Sequence, residues 1–301
     1  MTNIIQEKNI SQTLKETKVF FVTKSASYGS AGMRGTQISN YLNLLGVNSE
    51  SVPLKTLRER IHNGEVVKDS IIVAIKWLSF DCIETYFPNN KIIVDLVDKL
   101  GILRLKKKNR FQNLDGFIFP NKNALLELGK SFPKNIKKRE IYHHWLDVHN
   151  IPKNTIQKVT YIGNRRNFPM NKQLFKNLDF ALNPKTWIQE AYKREHHLSI
   201  RCSGRSSFKY KPNTKLSLAA GTDSYIILTR DNSHIELLPE DYPFFVEYEQ
   251  NKIQKMIDYI TTEKSQKDKK IAKMHLEEVK KRTYIDRICQ DYIDFFEEIL
   301  A

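Results

Sequence analysis

The segment Lys211-Pro-Asn-Thr-Lys-Leu-Ser-Leu-Ala-Ala-Gly221, followed by the apolar run Tyr225-Ile-Ile-Leu-Thr229, holds the residue types best suited to chemistry on an anion. A proline shortly before an alanine- and leucine-rich stretch marks the start of a short helix, and the apolar run after it reads as a buried strand. Lys211, Thr214 and Lys215 stand near that helix start, where unpaired backbone N–H groups and the helix dipole already favour negative charge. Arg201, Arg205 and Lys209 lie just upstream. Bidentate arginines and point-charge lysines are what a diphosphate leaving group needs as charge builds on it. The segment reads as a diphosphate seat, and the substrate it implies is a nucleotide-linked donor. The bland reading of the same cations is a solvated basic loop. Asn232-Ser-His-Ile-Glu-Leu-Leu238 follows as a capped helix, whose Glu236 would bind ribose hydroxyls or complement the dipole.

Other candidates lie in the first half. Gly29, Gly32 and Gly35 follow an apolar run, but their spacing is not that of a dinucleotide fingerprint. They suit a flexible loop over a cleft, with Arg34 aimed at substrate. Lys76 directly follows the strand at 71–75, and Asp95 ends the strand at 91–94, with Asp98 one turn later. Ligands of open α/β sheets bind beyond such strand ends, although a strand-capping lysine and a helix-capping aspartate fit equally well. Tyr142-His-His-Trp-Leu-Asp147 supplies paired histidines. Adjacent histidines do not converge on one metal ion, so His143 or His144 reads as an acid–base or hydrogen-bonding group instead. No metal site is expected. His196-His197, just before a strand, reads as structural.

The elements that position these groups alternate. Residues 18–23 form a strand, then the glycine loop, then a helix over 36–46 closed by Gly46, which is the opening of a Rossmann-like unit. Strand signals recur at 69–75, 91–95 and 115–119, with a weaker one at 51–54, and helical or mixed connections lie between them. Loop chemistry around 148–158 marks a boundary. The pattern then restarts with strands at 158–163, near 180, at 197–202 and at 225–229. Residues 250–260 and 265–282 read as helices, the second lysine-rich and exposed. Tyr284 to Leu300 carries a broad apolar stripe that must pack on the body of the protein. The expected architecture is α/β: two Rossmann-like domains facing a central cleft, 1–150 and 151–282, with a C-terminal helix at 283–301 packed on the body of the protein.

Composition sets the frame. The 301 residues carry 49 Lys and Arg against 34 Asp and Glu, a formal charge of +15. Such a surplus suits anionic partners: a nucleotide diphosphate, nucleic acid or an anionic membrane surface, or simply a solvated basic exterior. Three scattered cysteines (Cys82, Cys202, Cys289) form no CxxC pair, which argues against a disulfide framework or structural zinc and fits a reducing cytoplasm. The N-terminus lacks the pattern of a secretion signal, and no apolar run is long enough to cross a membrane. The expectation is a cytoplasmic protein, peripheral at most at the inner face of the membrane.

The glycine loop, Tyr161-Ile-Gly-Asn164 and the run KPNTKLSLAAG…YIILT…IELL together resemble GT-B glycosyltransferases, in particular the family-4-like group. The resemblance spans most of the chain and is strongest over 211–238. It implies a nucleotide-sugar donor in the C-terminal half, acceptor recognition by the N-terminal half, no metal or other cofactor, and a C-terminal helix (283–301) crossing back to the N-terminal domain. Carried residue by residue, it implies donor-binding roles for Gly32, Arg34, Gly163, Lys211, Thr214, Lys215 and Glu236, alongside Arg201. Asp95, His143 and His144 are the candidates for the general base. The paired glutamates of that group are absent, with Leu216 or Leu218 where the ribose-binding one would lie. The acceptor expected is a cell-envelope glycan. The alternatives are glucosyl transfer to modified DNA bases and a catalytically degenerate module that binds nucleotide or polyanion. An NAD-dependent oxidoreductase is disfavoured by the glycine spacing.

Overall fold

The computed structural model describes residues 10–24, 29, 31–76, 89–97, 113–145, 151–181, 183, 186–202 and 210–301, with the side chain of Arg166 excepted. Cys82, Asp98, Arg205 and Lys209, together with most of Ser27–Ser30 and the 148–150 part of the expected boundary, lie outside the described residues. The chain forms two compact units: Met1–Tyr142 with Ile285–Ala301, and His143–Tyr284.

The first unit is built on six parallel strands: β1 (Val19–Thr23), β2 (Ser49–Pro53), β3 (Ile71–Ile75), β4 (Lys91–Asp95), β5 (Gly116–Phe119) and β6 (Lys137–Glu140), in the order β2-β1-β3-β4-β5-β6. β1 and β3 are buried along their whole length, as the continuous apolar runs require of a sheet covered on both faces. β6 is the exception. Its sequence, Lys-Lys-Arg-Glu, carries no apolar signal because it is an edge strand, and it escapes sequence reading for that reason. The helices of the unit are α1 (Gln12–Glu16), α2 (Ile38–Leu44), α3 (Leu54–His62), α4 (Lys122–Leu128) and α10 (Ile285–Leu300). Between β1 and α2 the glycine-containing segment Ala31–Gln37 winds as a π-helix. The C-terminal helix α10 packs its apolar stripe on this unit, with Phe21 edge-on to Tyr292 and Phe296 at centroid separations of 5.7 and 6.3 Å.

The second unit has five parallel strands: β7 (Val159–Ile162), β8 (Leu178–Ala181), β9 (His196–Ser199), β10 (Tyr225–Thr229) and β11 (Phe245–Val246), in the order β11-β10-β9-β7-β8. Its helices are α5 (Trp187–Lys193), α6 (Thr214–Gly221), α7 (Asn232–Ile235), α8 (Gln250–Ile260) and α9 (Gln266–Thr283). In each unit the chain runs outward over two strands and returns past the first. The strand order therefore reverses between β1 and β3, and again between β7 and β9. In sheets of this kind ligands bind beyond the carboxyl ends of the strands at the reversal.

The helix that starts at the sequence-predicted anion seat, α6, is fixed from outside as well as by its own turns. The Trp145 indole lies on the C-terminal end of α6, so close to Gly221 that a Cβ there would enter the ring. Trp145 is in turn tied to α9, its backbone N–H donating to the Thr283 carbonyl at 2.9 Å and its indole N–H to that of Lys280 at 2.9 Å. Gly221→Ala should displace a buried indole held by two hydrogen bonds. The expected loss is about 1–3 kcal/mol of stability in the second unit, read as a lower denaturation midpoint.

Candidate anion-binding site

The site is built at the reversal point of the second unit. β7 delivers Tyr161 and ends at Gly163, which adopts φ +131°, a conformation open to glycine and strained for other residues. β9 delivers Arg201, two residues past its end. Between β9 and β10 the chain forms α6, whose first turn carries Thr214 and Lys215. Arg201, Lys211 and Lys215 lie close enough that their charges oppose one another, and Gly163 lies against the end of the Lys215 side chain, its Cβ position 3.6 Å from Cε. Five residues taken from the sequence as donor-binding, Gly163, Arg201, Lys211, Thr214 and Lys215, thus gather about the start of one helix.

Arg201 is 8% exposed and rigidly held. Its guanidinium donates to Ser233 Oγ at 2.6 Å and to the Pro212 carbonyl at 2.6 Å, and pairs with Asp231 at 3.4 Å. Burial pulls its pKa down against the pull of Asp231. Asp231 caps α7, accepting from the backbone N–H groups of Ser233 and His234, and from Ser233 Oγ at 2.6 Å. Burial opposes its charge, but His234 and Arg201 outweigh that and hold its pKa below the usual carboxylate range. His234 is buried, with its pKa pushed down to about 4 mainly by burial.

Lys215 has a different environment. Its ammonium sits 3.4 Å from the centroid of the Tyr161 ring. Among the described residues no carboxylate lies within ion-pairing distance of it. Burial, then Arg201 and Lys211, drive its pKa well below the ordinary lysine value. Its neighbour Thr214 shares a 3.0 Å hydrogen bond between Oγ1 and Nδ1 of His143, which is 2% exposed. His143 therefore acts on the first turn of α6 through Thr214. His144 beside it is buried at 1% exposure. Both histidines belong to the second unit, although the sequence reading put them at the end of the first half.

Glu236 follows α7, where its backbone carbonyl accepts from Arg282 at 3.3 Å. The carboxylate joined to Arg201 is Asp231, which sequence reasoning passed over along with Tyr161, Ser233 and Asn213. Asn213 directly precedes α6 and donates from Nδ2 to the Ser233 carbonyl, tying α6 to α7. The available signal was the pattern Asp-Asn-Ser-His, an N-cap placed immediately after a strand. Among the described residues no group of three or more His, Cys, Asp or Glu side chains is arranged to hold a metal ion.

The first-unit candidates take other roles. Gly32 and Arg34 lie in the π-helix, and the Arg34 side chain, expected from the sequence to point at substrate, is wholly buried. Arg34 Nε donates to Asp95 Oδ2 at 2.8 Å, and Nη1 donates to the carbonyls of Ile141 and Tyr142 at 3.2 and 2.9 Å. Tyr292 of α10 donates to the same Asp95 oxygen at 2.9 Å. Asp95, expected as a general-base candidate, is 0% exposed and committed to this cluster, so it serves as a buried counter-charge. Burial works against the charge on Arg34, yet Asp95 and Tyr292 raise its pKa above the usual value.

No protein-family profile and no curated protein matches the chain. Solved structures do. HepE from Anabaena, in complex with UDP and glucose, superposes with a TM-score of 0.64 at 10% identity, over 94% of this chain and 100% of that one. Sucrose-phosphate synthase from Thermosynechococcus elongatus gives 0.64 at 12% identity over 95% and 100%. A glycosyltransferase from Rickettsia africae gives 0.63 at 12% identity over 95% and 99%. The fold is therefore the double Rossmann-like fold of GT-B glycosyltransferases.

Asp95→Asn would leave the Arg34 guanidinium buried without its counter-charge. The expected loss is about 3–5 kcal/mol of stability in the first unit, against about 1.5–3 kcal/mol for Tyr292→Phe. Urea denaturation of the two variants checks the order, which a catalytic Asp95 exposed to solvent would not produce.

Proposed function

We propose that the protein is a glycosyltransferase that moves a sugar from a nucleoside-diphosphate donor to an acceptor hydroxyl. One observation carries the reading: Arg201 and Lys215 converge at the start of α6, beyond the strand ends where the sheet order reverses. Backbone N–H groups at a helix start, a fixed guanidinium and an ammonium together suit the two phosphates of such a donor. The same cations stabilise the diphosphate as it departs with its full charge, which supports transfer without a metal ion. HepE binds UDP and UDP-glucose, so a uridine-linked donor is the first candidate.

For the acceptor we assign a cell-envelope glycan, presented at an anionic membrane surface that the net charge of +15 would favour. No described helix is long and apolar enough to cross a membrane. The reading therefore places the protein as a peripheral contact on the cytoplasmic face. Transfer to DNA bases would instead require duplex binding with a steep salt dependence.

Thermal-shift measurements with UDP, GDP, ADP and their sugar conjugates test the donor. One nucleotide class should raise the melting temperature, and Lys215→Ala should weaken its binding by about tenfold or more, roughly 1.4 kcal/mol. Unchanged binding in Lys215→Ala and Arg201→Ala would overturn the site. Transfer is expected to survive EDTA, and a strict divalent-metal requirement would overturn the metal-free mechanism.

A further inference from the structure

The charges around α6 do not balance. Arg201 has Asp231 as its counter-ion, and that carboxylate is already shared with His234 and with the backbone of α7. Among the described residues no carboxylate serves Lys215 in this way. The groups facing it are the Tyr161 ring from β7, His197 from β9, Arg201 beyond β9, Lys211 from the preceding loop and His234 from α7. His197 is buried and bonded to the Ala191 carbonyl at 3.0 Å, with its pKa pushed down to about 4. Neither histidine therefore carries charge near neutrality. The two lysines of α9 engage elsewhere, Lys269 with Glu195 and Lys280 with Asp223. An ammonium at the Lys215 position thus meets two like charges and an aromatic face, with no carboxylate of its own among the described residues.

We propose that Lys215 is the proton-linked cation of this site: the diphosphate of a bound nucleotide is its missing counter-ion, and binding draws a proton from solvent onto the Lys215 amine. The step balances as amine plus buffer proton giving ammonium, paired with a phosphate oxygen. It rests on the donor site proposed above. Burial and the two neighbouring cations favour the neutral amine before binding, and two phosphate charges beside it reverse that preference. By linkage, affinity is highest where Lys215 is already protonated. It falls as the pH rises above the lysine pKa of the free protein, and it levels off above the pKa of the complex.

Isothermal titration calorimetry of the whole chain tests this at about pH 8.5, where free nucleoside diphosphates are fully ionised. Each of UDP, GDP and ADP is titrated in two buffers of different ionisation enthalpy. The expected result is uptake of a sizeable fraction of a proton per nucleotide bound, abolished in Lys215→Arg because guanidinium is already charged. Binding with no uptake, or uptake that persists in Lys215→Arg, overturns the inference and leaves the donor site standing. If none of the three nucleotides binds, the donor reading falls and the inference falls with it.

Discussion

The Arg201–Asp231 pair sets the electrostatics of the second unit, because a buried guanidinium must be neutralised before anything else can be arranged around it. Asp231 does this from the cap of α7, joining Ser233 to Arg201 beyond β9, while His234 bonds the Thr229 carbonyl at the end of β10. Asn213 then ties the start of α6 to the same turn through the Ser233 carbonyl. Among the described residues no carboxylate lies within ion-pairing distance of Lys215. Lys215 stands at the first turn of α6, beside the helix N–H groups.

The first unit uses the same residue types to the opposite end. Arg34 and Asp95 meet with no exposure at all; Tyr292 and two backbone carbonyls add hydrogen bonds at Asp95 Oδ2 and Arg34 Nη1, while Arg34 Nη2 and Asp95 Oδ1 are buried without a hydrogen-bond partner among the described residues. This cluster joins the π-helix, the end of β4, the strand-to-boundary residues Ile141 and Tyr142, and the C-terminal helix. Its charges cancel internally, so it offers a substrate little. A neutral ion pair that links four segments is a structural device, whereas a cation with no partner is a binding device. The contrast separates Arg34, in the π-helix after β1, from Arg201, just past the end of β9.

That distinction is also where sequence reading stopped. The alternation of apolar runs fixes the α/β class and most strands, because parallel strands buried on both faces must be continuously apolar. The polar edge strand Lys137–Glu140 and the two-residue β11 carry no such pattern and are visible only in the sheet. Lys211, Thr214 and Lys215 are recognisable from their spacing to a helix start, a local property. Whether Arg34 and Asp95 face solvent or each other depends on residues 61 positions apart and on a tyrosine 197 positions beyond Asp95. No local pattern encodes that pairing. Asp231 could be read as a helix cap, but its second role, neutralising Arg201 from 30 residues away, could not.

Lys215 also bears on why α6 is held so firmly. A partly buried, uncompensated amine weakens the fold that contains it, and functional sites commonly carry such a cost. The cost is tolerable only if the surrounding structure cannot relax to let the side chain escape into water. His143 holds the first turn of α6 through Thr214, Trp145 lies on its last turn at Gly221, and Trp145 is anchored in turn to α9 by two hydrogen bonds. The short segment His143–Trp145 thus grips both ends of the helix that carries the charge. On the donor reading proposed above, a side chain held in place in this way needs little reorganisation to meet a diphosphate.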